Sequence, residues 1–136
     1  INKIEIDEFD EDGSSPLFWT IANNSLKATS TLLELGANIE NTDNDGNTPL
    51  IIAATGGNDQ IVKLLLNYEA NINAMDNEEN TPLLWAAANG NTKTVKILLK
   101  NEADWSAKNI YGNTALLIAA QNGYTDILNV LKKYKD

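Results

Sequence analysis

The sequence predicts an all-helical solenoid of stacked helix-turn-helix units, and three observations carry that expectation. First, a short motif recurs at a fixed interval of 33 residues. Ser15-Pro16-Leu17 returns as Thr48-Pro49-Leu50, as Thr81-Pro82-Leu83 and as Thr114-Ala115-Leu116. A fixed period of this size marks units that bury their apolar faces only against their neighbours. Second, each motif reads as a helix start: a hydroxyl residue at the cap, with proline behind it in three of the copies. Third, each start is followed by two apolar segments of helical length, separated by Gly or Asn.

The stretch from Asp43 to Met75 justifies each element in turn. Asp43-Asn44-Asp45-Gly46-Asn47 is a turn by composition, because Gly accepts positive φ while Asn and Asp bond their own backbone. Thr48 stands at a cap and Pro49 at the first helical position, where its missing N–H costs nothing. Leu50, Ile52, Ala53 and Ala54 give a short first helix its apolar side, and Gly56-Gly57 stop it. A second helix follows from about Asp59, burying Ile61, Val62, Leu64, Leu65 and Leu66, with Lys63 facing out. Ala70 to Ala74 then run extended towards the next turn. The remaining copies repeat this order, with Val95 to Leu99 and Ile127 to Leu131 as their second helices.

Composition narrows the function. The formal net charge is −9, so phosphate would repel the surface and nucleic acid is not an expected partner. All ten cationic residues are Lys, and the chain has no His and no Cys. A His general base, a Cys nucleophile, a disulfide framework and a Cys/His zinc site are therefore out of reach. No apolar run approaches the roughly 18 residues of a membrane span. Glu8 to Gly13 echoes a calcium loop, but Trp19 stands where a closing Glu belongs. No phosphate-cradling Gly-rich loop appears. The reading is of no catalytic residues, no cofactor and no metal. A cysteine-free chain fits the cytoplasm or the nucleus.

The repeated unit resembles the ankyrin repeat family. The closest stretch is Asp45-Gly46-Asn47-Thr48-Pro49-Leu50-Ile51-Ile52-Ala53-Ala54, supported by the alanine-rich segments at Ala86 and Ala119. The resemblance implies an all-α solenoid of stacked helix-turn-helix repeats with projecting β-hairpin turns. It gives a single domain over residues 1–136, with repeats at about 10–42, 43–75, 76–108 and 109–136. Residues 1–9 read as a partial leading strand. The last repeat reads as a C-terminal cap, because Lys132, Lys133 and Lys135 make its outer helix polar. The absence of an initiator Met suggests a piece of something longer.

Several positions depart from the family pattern. Phe18, Ile51, Leu84 and Leu117 stand where the family usually has His, and are expected to pack in the core. Glu69 and Glu102 replace a Gly at the end of the second helix, where left-handed backbone costs a non-Gly residue roughly 1 kcal/mol. Asn24, Thr29 and Thr31 weaken the first repeat, which is expected to be the less stable end. Trp19 and Trp85 align with Ile52 and Ile118, so they too are expected in the core.

Function then follows from the resemblance: a non-enzymatic protein-interaction module that binds a protein or peptide through its concave fingertip and inner-helix surface. By register, the partner-binding residues implied are Asn44, Asp45, Asn47, Met75, Asn77, Glu78, Asn80, Asn89, Ile110, Tyr111, Asn113 and Gln121. Among these, Met75, Ile110 and Tyr111 are apolar groups on turns, suited to anchoring a partner. Acidic residues gather on the turns, whereas Lys63, Lys93, Lys96 and Lys100 fall on the second helices, so a basic partner is expected and the protein itself is expected to be a monomer. The alternative is a substrate-docking or regulatory segment of a larger enzyme or membrane protein.

Overall fold

The computed structural model describes residues 6–135, and they form eight helices: α1 Pro16–Ala22, α2 Leu26–Glu34, α3 Pro49–Gly56, α4 Asp59–Asn67, α5 Pro82–Ala88, α6 Thr92–Lys100, α7 Ala115–Asn122 and α8 Thr125–Lys135. Each odd-numbered helix packs on the even-numbered one that follows it. The odd helices also pack on one another in chain order, and so do the even ones. The result is a two-layered stack in which each unit packs against the next along. None of the helices is long and apolar enough to cross a membrane.

Helix starts follow the chemistry of the motif. Thr48, Thr81 and Thr114 sit in extended backbone and accept the N–H of Ile51, Leu84 and Leu117 at 3.2, 3.3 and 3.2 Å. Ser15 holds the equivalent place but makes no such bond. Its hydroxyl is fully buried without a partner. Left-handed backbone ends both helices of a unit, whatever the residue. Asn24 (φ 54°) serves with Gly57, Gly90 and Gly123 after the first helix, and Glu69 (φ 64°) and Glu102 (φ 69°) serve with Gly36 after the second.

The core is one continuous ribbon of small and branched residues between the two layers. Leu17, Ile21, Ala53, Ala54, Ile61, Leu65, Ala86, Ala87, Val95, Leu98 and Ile127 are essentially inaccessible. Alanines at Ala53, Ala86 and Ala119 let α3, α5 and α7 approach their neighbours closely. Polar groups in the seams are paired across repeats: Asn58 donates to the Ile21 carbonyl, Asn91 to that of Ala54, and Thr94 to Asp59.

Three expectations need correcting. The projecting turns are not β-hairpins in the regular sense, since no strand occurs among the described residues. Of the leading strand, residues 1–5 lie outside the described region, and Ile6-Asp7 form a tight 3₁₀ turn. Leu117 is not core: it is 48 % exposed, whereas Phe18, Ile51 and Leu84 in the same register are at most 4 % exposed. The reason is positional, because the next repeat covers those three and nothing among the described residues covers α7. Lys132, Lys133 and Lys135 are exposed, as a polar outer helix requires.

Candidate partner-binding surface

Each projecting loop is folded by one side chain at its base. Asp43 accepts the N–H groups of Asp45 and Asn47 through one oxygen, at 3.0 and 2.9 Å. Asp10, Asp76 and Asn109 do the same for the residues two and four ahead. A carboxylate or amide oxygen here substitutes for backbone acceptors that a tight turn cannot supply. The Asp10 carboxyl is held below its ordinary value, first by the Ser14 N–H and then also by the Trp19 and Asp12 N–H groups, partly offset by desolvation. Its oxygens are committed in this way to closing the loop.

The loops are also tied tip to tip. The Asn44 N–H donates to the Asp12 carbonyl, that of Asn77 to Asp45 and that of Ile110 to Glu78, each at 3.0 Å. Asn44 and Asn77 add a second tie, donating their side-chain amides to the Glu11 and Asn44 carbonyls at 3.1 Å. These amides run so close to the previous loop that a Cβ on Gly13 or Gly46 would collide with them. The third junction is built differently. Ile110 replaces the asparagine, and Glu79 (φ 64°) replaces the glycine it would have crowded. There the second tie comes from the Tyr111 hydroxyl, which donates to Glu78 at 2.6 Å. That hydrogen bond, together with the Glu78 charge, raises the Tyr111 phenol above its ordinary value.

The twelve residues implied by the family pattern therefore divide by what they do. Asn44, Asn47, Asn77, Asn80 and Asn89 spend their amides inside the protein; Asn80 is only 8 % exposed, bonded to Asp76 and Asn109. Asp45, Glu78 and Gln121 are exposed and Asn113 is half-buried. Met75, Ile110 and Tyr111 are 55, 53 and 65 % exposed, and the hydrogen bonds above place Ile110 and Tyr111 on the loop that follows Met75.

Sequence reasoning missed the tryptophans. Trp19 is 54 % exposed and Trp85 half-buried, so neither is the core residue that alignment with Ile52 and Ile118 suggested. Each indole N–H is captured by the aspartate nine residues earlier, Trp19 by Asp10 at 3.0 Å and Trp85 by Asp76 at 2.8 Å. An indole needs a polar partner for its N–H, and the loop-closing carboxylate supplies one at the surface. The nine-residue spacing from Asp to Trp, present in the first and third units and absent from the others, was the available signal. A cavity of about 470 Å³ lies beside Trp85, lined by Asp45, Asp76, Glu78, Asn47 and Asn77.

A family model described as ankyrin repeats (3 copies) matches residues 1–76 and 69–136. The chain belongs to the ankyrin repeat family. No curated protein matches it. Ankyrin repeats are in general protein–protein interaction modules and are typically non-enzymatic.

Proposed function

We propose that this chain docks a protein or peptide on the side of the stack formed by the loop tips and the first helices. The observation that carries the reading is the exposure of Met75, Ile110 and Tyr111 on successive loops, beside Asp45 and Glu78. Apolar groups that a monomer could have hidden are the usual anchors of an interface, and surrounding charge steers encounter. The loops behind them are braced by internal bonds, so little ordering cost is left for binding. A basic or mixed partner suits the acidic tips, with the lysines of α4 and α6 on the opposite layer. We take the docking unit to be a monomer that performs no chemistry of its own, working in the cytoplasm or nucleus.

The test is affinity capture from source cells with mass spectrometric readout, comparing the wild-type chain with Tyr111→Ala and with an Asp45→Lys, Glu78→Lys pair. Partners should be lost from both variants while far-UV circular dichroism is unchanged. Capture that is indifferent to these substitutions removes this surface.

A further inference from the structure

The loop-and-indole arrangement occurs twice, and its alternation along the chain is what gives it meaning. At one register position the four units carry Phe9, Thr42, Met75 and Lys108. Next to it stand Asp10, Asp43, Asp76 and Asn109, and nine residues on stand Trp19, Ile52, Trp85 and Ile118. The first and third units thus share an apolar residue, an aspartate and an indole, while the second and fourth share none of that set but the loop-closing group. Phe9 and Met75 are more than half exposed, as is Trp19. Each odd unit also has a cavity against its indole, of about 260 Å³ at Glu8, Phe9, Asp10 and Trp19 and about 470 Å³ at Asp45, Asp76, Glu78 and Trp85. Among the described residues, no lysine lines either one.

The geometry points to two cation-accepting sites, one at Trp19 and one at Trp85, that share an aspartate-bound indole and together grip a single extended basic peptide. The inference rests on the docking reading above and names its partner. A guanidinium or ammonium group is attracted to an indole face, and a carboxylate that accepts the indole N–H enriches that face further. The flanking carboxylates of Glu8, Asp45 and Glu78 complete the charge match, and Phe9, which lines the first cavity, is placed to cover the aliphatic stem of a long cationic side chain. Spacing selects the ligand. Packed helices lie about 8–10 Å apart, so α1 and α5, with α3 between them, set the indoles roughly 16–20 Å apart. An extended chain rises about 3.3 Å per residue and alternates its faces. Two cationic side chains about six residues apart therefore reach both sites from the same side of the peptide.

The experiment uses labelled peptides of about twelve residues in a Ser/Gly background, titrated against the whole chain by fluorescence anisotropy. One carries two arginines about six residues apart, a second carries them adjacent, and a third has glutamine in their place. The spaced peptide should bind saturably, weaken with salt, and bind about tenfold more tightly than the adjacent one. Trp19→Ile and Trp85→Ile should each remove about that tenfold advantage. Isoleucine already occupies this register in the second and fourth units, so the fold accommodates it. Asp45→Asn provides an independent variant, because this exposed carboxylate lines the second cavity; it should weaken the spaced peptide and leave circular dichroism unchanged. Absence of saturable binding, equal binding of spaced and adjacent peptides, or indifference to both indole substitutions overturns the inference. If that happens while Tyr111→Ala still abolishes partner capture, the docking surface stands and only the cationic ligand falls.

Discussion

Leu84 and Leu117 hold the same place in successive units, follow the same threonine cap, and begin the same kind of short helix. One is 1 % exposed and the other 48 %. The inner and outer units of the stack differ in this way at several shared positions. Ala54 and Ala87 are inaccessible, while Ala120 is exposed. At the opposite end, Thr20 and Leu32 are only half-buried, where Ala53, Leu65, Ala86 and Leu98 are fully covered. In a linear array a residue's worth is set by whether a neighbour is stacked on it, and identity matters second.

The largest test of that contrast is truncation at the shared position. Leu84→Ala should cost about 2–4 kcal/mol in urea unfolding. Leu117→Ala should cost less than about 1 kcal/mol, because half of its side chain is already in water. Equal losses would mean that α7 is covered in solution by something stacked on it. A smaller effect separates the caps. Thr81→Ala should cost about 1 kcal/mol, whereas Ser15→Ala should be neutral or slightly stabilising, since its hydroxyl is buried and bonded to nothing. A loss at Ser15 matching that at Thr81 would show that the first helix is capped in solution after all.

The smallest effect concerns the one loop junction tied by a phenol. Tyr111 donates in its neutral form, so its contribution is complete below the ordinary phenol value of 10.0 and is lost as pH rises through the raised folded value. Phenolate absorbance should show Tyr111 titrating above the ordinary phenol value, and Glu78→Gln should bring it back towards that value. A Tyr111 titration unmoved by that substitution would break the distinction between the third junction and the first two.

The architecture was legible because one stretch of chemistry is written four times. Threonine before proline, alanine pairs and a Gly-bounded helix each have few structural meanings, and the repetition left little room for another. The surface was legible only in part. Asn44 and Asn77 looked like free contact residues, because nothing local reveals that their amides reach a loop 33 residues upstream. Within the chain a trace of it exists: glycine precedes each of these asparagines by 31 residues, and where Ile110 replaces the asparagine, Glu79 replaces the glycine. Trp19 was misjudged for the opposite reason. Ile52 and Ile118 are themselves only partly buried, so this register lies at the edge of the core, and an indole there can offer its N–H to Asp10.

The tip-to-tip bonds that link Asp12 to Asn44, Asp45 to Asn77 and Glu78 to Ile110 make the projecting loops move as a comb with a common spine. A ligand that displaces one tooth must strain the adjacent ones, so the array behaves as a ruler with fixed graduations. On the docking reading proposed above, guests whose contacts are out of step with that spacing would be turned away by stiffness, before any individual side chain was asked to discriminate.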